Sequence, residues 1–117
     1  MLDINERQTD GVTILDLAGN VIMGGGSKRL SEEVRRVTSA GNTNVLLNFA
    51  DVKYLDSSGV GELLALADTI SRAEGNLKLS NLPPKVEEVL TLSGVLPVFD
   101  IYDDESHALD AEQQQQP

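Results

Sequence analysis

The residues best suited to chemistry are an acid and two hydroxyls in consecutive positions, Asp56, Ser57 and Ser58, followed by Gly59. An apolar run at residues 45–49 precedes them, and an apolar pattern with helical spacing follows them. These side chains therefore lie where a chain leaves a sheet and enters a helix. A helix N-terminus offers unpaired N–H groups and a partial positive charge, which suit a phosphate group. The pattern indicates a switch site with a serine that is phosphorylated and dephosphorylated.

An ordinary helix cap is the alternative interpretation of the same residues. Asp, Ser and Gly are common at helix N-termini, where a cap stabilises by about 1 kcal/mol. However, Gly59 and Gly61 both fall in the first helical turn, where each costs roughly 0.5–1 kcal/mol relative to Ala. Glycines at two such costly positions, next to two hydroxyls, favour the interpretation that a phosphate or a partner surface approaches the backbone closely. On chemistry alone, the cap and the switch remain equal alternatives.

A glycine run at residues 24–26, followed by Ser27 and Lys28, is superficially similar to a phosphate-binding loop. It fails the spacing G-x-x-x-x-G-K-[ST], so the sequence argues against nucleotide hydrolysis. A flexible connection is the favoured interpretation. A binding loop beside the serines, formed by Met23, Gly24 and Gly25, remains the alternative.

Serine-hydrolase chemistry is disfavoured because a nucleophilic serine needs a base. The only histidine, His107, lies in an acidic C-terminal stretch, and the sequence has no G-x-S-x-G motif. The acids show no metal-ligand spacing. We therefore expect no enzyme, no catalytic residue, no metal and no cofactor.

The elements that position these residues alternate between strands and helices. Asp10-Gly11 indicates a hairpin between strands at 2–9 and 12–18, and Ser27 is the expected N-cap of the first helix. A strand at 45–49, a loop at 50–55 and a helix at about 57–74 follow. The pattern continues with a short strand around 77–79, a helix beginning at the prolines 83–84, a strand at 98–102 and a short helix through Ala111. We predict an α/β fold with about five mostly parallel strands, an antiparallel first strand and three to four helices. Residues 1–112 are the expected single domain, and 113–117 a disordered polar tail.

Composition limits the classes of partner. The formal charge of −10, from 19 acids and 9 bases, argues against nucleic acid and against an anionic membrane surface, and permits a partner with a basic face. There is no cysteine, and no signal peptide or membrane-spanning apolar run is visible. A cytoplasmic monomer is the expected state.

The segment from Leu46 to Gly61 resembles the STAS domain, and within it the single-domain anti-anti-sigma factors (anti-sigma factor antagonists) of bacteria. The resemblance consists of a strand ending in a polar residue, a loop with an aromatic-apolar pair, and Asp-Ser-Ser-Gly-apolar-Gly. Length and element order agree over roughly residues 3–110, and residues 92–95 are similar to the family's segment at the end of its third helix.

The resemblance implies a function in partner switching that regulates transcription. Ser57 would be the phosphoacceptor, and the partner would be an anti-sigma factor that is an ATP-dependent serine kinase. The unphosphorylated form would bind this partner and free a sigma factor, phosphorylation would release the partner, and a PP2C-type phosphatase would restore binding. Whether Ser58 is a second acceptor stays open. The implied partner-binding residues are Asp56, Ser57, Ser58, Gly59, Gly61, Met23, Gly24 and Gly25.

One departure from the family leaves the partner open. Sporulation-type antagonists carry a Gly-Glu-Leu-Asp-like segment after the second strand, whose acid contributes to the contact with the kinase. Residues 19–23 of this chain contain no acid. The alternative function is that of a non-phosphorylated structural STAS subunit in a larger signalling or transport assembly, with Ser57 acting only as part of a helix cap.

Overall fold

The computed structural model describes residues 1–115, which form a five-stranded sheet and four α-helices. The strands are β1 (Leu2–Thr9), β2 (Val12–Val21), β3 (Asn44–Leu55), β4 (Asn76–Ser80) and β5 (Asp100–Tyr102). The helices are α1 (Gly26–Ser39), α2 (Ser57–Arg72), α3 (Pro84–Leu92) and α4 (Glu105–Gln115), with a 3₁₀ turn at Leu96–Val98. None of these helices is long and apolar enough to cross a membrane. The predicted α/β class, strand number and helix number are confirmed.

The strands follow one another across the sheet in the order β1-β2-β3-β4-β5. β1 is antiparallel to β2, and all later pairs are parallel, as predicted. The hairpin turn has positive φ at both Asp10 (50°) and Gly11 (79°), as the tight turn favoured between twisted strands requires. Each parallel step is connected through a helix, so the carboxyl ends of β2, β3 and β4 meet at one edge of the sheet.

The two faces of the sheet are covered unequally. Helices α1, α2 and α3 pack on one face around Leu47 and Phe49, in an aliphatic core that the low aromatic content predicts. On the other face α4 places Ala108 against Ile14 and Leu46. Most of the buried apolar surface therefore lies beneath the three crossover helices, which fixes the position of the α2 N-terminus.

Charged groups hold α4 on its face of the sheet. Arg7 on β1 bonds Glu105 at the start of α4 (2.6 Å) and also donates to Asp16 on β2 (2.6 Å). The hydrogen bond from Arg7 lowers the pKa of Asp16 to about 2. Further along α4, Glu112 accepts from Lys78 on β4 (2.8 Å), and both side chains of this pair are buried. Ion pairs of Glu105 and Glu112 therefore hold α4 on the sheet at two points.

The prediction that β3 ends at residue 49 and a loop spans 50–55 is wrong. β3 continues to Leu55, and β2 likewise continues past residue 18 to Val21. The register between β2 and β3 shifts twice, so β3 carries an extra residue at each irregularity. The buried residues Phe49, Val52 and Leu55 consequently lie three positions apart, which hides the two-residue strand period in the sequence.

The C-terminal helix is longer than predicted. It runs to Gln115 rather than Ala111, so it includes part of the segment 113–117 that was expected to be a disordered tail. Glutamine is a good helix former, and the contact of Glu112 with Lys78 anchors the preceding turn. Residues 116–117 of the predicted tail lie outside the described residues.

Candidate functional site

The Asp56 carboxylate joins two segments of the chain. Asp56 is the N-cap of α2, with an extended backbone (φ −112°, ψ −176°), and its Oδ1 accepts from the Gly59 N–H at 3.0 Å. Its Oδ2 accepts from the Met23 N–H, also at 3.0 Å, in the loop between β2 and α1. The hydrogen bonds from Met23 and Gly59 lower the pKa of Asp56, against the opposing effect of partial burial. The predicted cap is therefore present, and it also fastens the Met23 loop.

Ser58 bonds a neighbouring helix. Its half-buried hydroxyl oxygen lies 2.6 Å from the hydroxyl oxygen of Ser27. The prediction that Ser27 caps α1 is wrong, because the N-cap is Gly25, two residues earlier, and it makes no side-chain hydrogen bond. The Ser27 hydroxyl is used instead to join the first turns of α1 and α2.

Ser57 differs from both of its neighbours. It is the first residue of α2 and is exposed. Within residues 1–115 its hydroxyl makes no hydrogen bond, whereas Asp56 and Ser58 both bond other parts of the fold. A hydroxyl oxygen that is exposed and has no internal bond is accessible to a phosphoryl donor.

Two glycines near the site are required by close packing. A Cβ on Gly59 would overlap the carbonyl oxygen of Val21, and a Cβ on Gly26 would overlap that of Asn20. The first turns of α2 and α1 therefore pack backbone to backbone against the end of β2. Because Gly59 is buried, its predicted role of leaving room for a partner is replaced by a role in internal packing. Gly61, in contrast, is exposed, and a Cβ there would meet nothing within 4 Å.

Comparison with known proteins identifies the family. The family model for the STAS domain matches residues 3–108. The chain belongs to the STAS domain family. The candidate anti-sigma factor antagonist BtrV of Bordetella bronchiseptica is 30% identical over 92 residues, which cover 79% of this chain and 78% of that protein.

Solved structures agree with this assignment. A candidate anti-sigma factor antagonist from Thermotoga maritima superposes with a TM-score of 0.81 and 25% identity, covering 92% of each chain. SpoIIAA of Bacillus, a cell fate determinant solved in its phosphorylated form, superposes with a TM-score of 0.69 and 22% identity. The superposition covers 93% of this chain and 98% of SpoIIAA, and at this identity the likeness shows the shared fold alone.

The geometry of this STAS domain brings most of the predicted site residues to one surface. Asp56, Ser57 and Ser58 lie at the α2 N-terminus, and the Asp56–Met23 hydrogen bond holds the loop containing Gly24 and Gly25 beside them. Met23 is 77% exposed, and both loop glycines are exposed. The contribution of Ser27 to the site is not predictable from the sequence, because no local pattern signals a hydroxyl pair formed by two helices.

The one histidine of the chain lies away from this site. His107 bonds Asp104 at the start of α4, which packs on the opposite face of the sheet from α2. The hydrogen bond to Asp104 raises the pKa of His107. Within residues 1–115 no cluster of three or more His, Asp or Glu side chains is arranged to hold a metal ion. At this site Ser57 is exposed, and Ser58 is half-buried.

Proposed function

We propose that this STAS domain is an anti-sigma factor antagonist and that phosphorylation of Ser57 controls its binding to the anti-sigma factor. The observation that carries the proposal is the difference between Ser57 and its neighbours. Its hydroxyl is exposed and makes no hydrogen bond within residues 1–115, while Asp56 and Ser58 bond other segments. The similarity to BtrV supports the functional class.

Ser57 is the better acceptor because its modification breaks no internal contact. A phosphate on Ser58 would disrupt the 2.6 Å hydrogen bond to Ser27 and enter a half-buried space between α1 and α2. A phosphate on Ser57 would extend into solvent at the positive end of the α2 dipole, where anions are favoured. We therefore assign Ser57 as the acceptor and Ser58 as a positioning residue.

Phosphorylation would act through charge and bulk at the surface, with little change in fold. A phosphoserine adds about −1.5 to −2 charges at neutral pH. The lowered pKa of Asp56 keeps the adjacent carboxylate ionised there, so the added charge reinforces an existing one. A partner surface that fits the neutral hydroxyl would then meet repulsion and steric conflict.

The proposed partner is an anti-sigma factor that is itself an ATP-dependent serine kinase, and a PP2C-type phosphatase reverses the modification. The proposed contact surface is the solvent-exposed part of the site. Asp56 and Ser58 hold its shape through their hydrogen bonds, and Gly59 packs beneath it. Its exposed members are Met23, Gly24, Gly25, Ser57 and Gly61.

The test is phosphorylation and binding with a purified candidate anti-sigma kinase. With ATP, we expect mass spectrometry to find phosphate on Ser57 in wild type and in Ser58→Ala, and none in Ser57→Ala. By calorimetry, Ser57→Ala should bind the kinase as wild type does, whereas Ser57→Glu should bind at least about tenfold more weakly. Amide NMR spectra of Ser57→Glu should differ from wild type only near the α2 N-terminus.

Three results would contradict the proposal. They are phosphate on another residue, equal affinity of Ser57→Glu and wild type, or spectral changes across the whole fold of Ser57→Glu. If the kinase leaves Ser57 unmodified, and Ser57→Ala behaves as wild type in both the phosphorylation and the binding assay, a structural STAS subunit would be favoured instead.

A further inference from the structure

An open groove lies between the end of β3 and the start of α3, and none of its lining residues belongs to the Ser57 surface. Its volume is about 520 Å³. β3 and β4 are parallel neighbours, so the groove lies at the carboxyl edge of the sheet, where the chain leaves β4 for α3. The residues that line it are Val52, Lys53, Tyr54, Pro83, Pro84 and Lys85.

The groove presents apolar surface on a rigid frame. Tyr54 is 55% exposed, which is unusual for one of the few aromatic side chains of this chain. Pro83 and Pro84 fix the backbone on the opposite side, with Pro83 as the N-cap of α3 (φ −62°). A preformed groove of this kind loses little conformational entropy when it binds a ligand.

Within residues 1–115, the groove also contains the two basic side chains that have no carboxylate partner. Among the nine lysines and arginines, all within residues 1–115, seven have a carboxylate oxygen within 4.0 Å. The other two are Lys53 and Lys85, and both line the groove. The Lys85 Nζ instead lies 5.6 Å from the centroid of the Tyr54 ring. On a chain of formal charge −10, two cations without acidic partners beside exposed apolar surface form a local positive site.

The α3 N-terminus contributes a partial positive charge to the groove, and Glu87 in the same first turn offsets part of it. Pro83 provides no side-chain cap, and Pro84 occupies the first turn. The first turn of the helix therefore keeps N–H groups without side-chain acceptors, next to Lys85.

We propose that this groove docks an acidic, apolar segment of a partner protein. One apolar side chain of the segment packs on Tyr54 and the prolines, and flanking carboxylates pair with Lys53 and Lys85. Nucleic acid and anionic membranes fit poorly, because the charge of the remaining surface repels an extended polyanion, whereas a short segment meets only the groove. The proposal goes beyond the Ser57 switch, since the groove shares no residue with the Ser57 surface. Tyr54 precedes Ser57 by three residues, so a docked partner would also be held close to that serine.

The probe is a blocked peptide with one phenylalanine between two pairs of glutamates, titrated into the ¹⁵N-labelled protein and followed by amide NMR. We expect chemical-shift changes centred on Lys53, Tyr54 and Lys85, and binding that weakens as salt rises. The analogue with glutamine in place of glutamate should bind about tenfold more weakly, as loss of two partly exposed ion pairs implies.

Charge-matched variants separate the groove from the overall charge. The double variant Lys53→Ala/Lys85→Ala should weaken peptide binding about tenfold, whereas Lys28→Ala/Arg72→Ala removes the same charge elsewhere and should leave it within about twofold. Tyr54→Ser should weaken binding with little change in salt dependence, because it removes apolar surface and the ring contact of Lys85 but leaves both lysine charges in place.

Several outcomes would overturn the proposal. Equal binding of the glutamine analogue, shifts centred outside the groove, or no shifts at millimolar peptide would each do so. The same shifts from inorganic phosphate alone at equal concentration would assign the site to a free anion. Binding to phosphatidylglycerol vesicles through Lys53 and Lys85, or groove shifts that depend only on protein concentration, would assign it to a membrane or to a second copy of the chain. None of these outcomes depends on phosphorylation of Ser57.

Discussion

Replacing Asp56 with alanine should loosen the α2 N-terminus and the Met23 loop together. The variant loses the N-cap bond to the Gly59 N–H, which contributes about 1 kcal/mol. It also loses the bond to the Met23 N–H, which contributes about 1 kcal/mol more. We expect the free energy of unfolding to fall by about 2 kcal/mol. For a chain of 117 residues this corresponds to a fall in Tm of about 8 °C.

Urea unfolding at neutral pH, followed by circular dichroism, measures the loss. Asp56→Asn should lose about half as much, because asparagine caps helices well but has one acceptor oxygen in place of two. Asp68→Ala is the matched control on the exposed face of α2, where it breaks only a surface pair with Arg72 and should cost less than about 0.5 kcal/mol. Amide exchange of Met23 and Gly59 should accelerate in Asp56→Ala and stay unchanged in Asp68→Ala.

The pH dependence provides an independent check. The pKa of Asp56 is lowered in the folded state, so its carboxylate stabilises the fold above the unfolded-state pKa of about 4. That contribution is lost as the pH falls through the lower folded-state pKa, so wild type and Asp56→Ala should converge in stability there. Equal stability of Asp56→Ala and Asp68→Ala at neutral pH would refute this role of Asp56, as would a stability deficit of Asp56→Ala that persists undiminished in acid.

Further predictions concern packing and buried charge. Gly59→Ala should lower the free energy of unfolding by about 2 kcal/mol or more in urea, whereas Gly61→Ala should raise it by about 0.5 kcal/mol; equal effects would contradict the packing role. Lys78→Ala should cost about 3 kcal/mol by leaving the Glu112 carboxylate buried alone, and the double replacement of both by methionine should recover most of that loss. Asp16→Asn should destabilise at neutral pH, with the difference from wild type shrinking between about pH 4 and pH 2, as acid unfolding monitored by circular dichroism will show.

Local patterns were sufficient to predict most of the fold. The Asp10-Gly11 turn and the alternation of strands with helices identified the antiparallel first pair and the parallel remainder. The end of β3 was missed because its bulges place Val52 and Leu55 out of the two-residue strand period. A bulge depends on the partner strand, so the pattern of one strand alone does not predict it.

In the candidate site, too, local features were predictable from the sequence and contacts between distant residues were not. The cap at Asp56 is a local feature and was predictable from four residues. The bond between Asp56 and Met23 joins positions 33 residues apart, and the Ser27–Ser58 pair joins positions 31 apart. Such contacts arise only when β2 and β3 pair and bring two helix N-termini together. The same holds for the burial of Lys78, which depends on the packing of α4 against β4.

The position of α4 has a consequence for synthesis of the chain. Ile14 and Leu46 belong to strands made early, yet their cover is supplied by Ala108, which is translated more than sixty residues after Leu46. Until α4 has been synthesised, the apolar face of the sheet around Ile14 and Leu46 is exposed to water. Lys78 likewise lacks its buried partner, Glu112. This window exposes the chain to chaperones and to self-association. Variants that weaken α4 docking should therefore reduce soluble yield more than their equilibrium stability suggests.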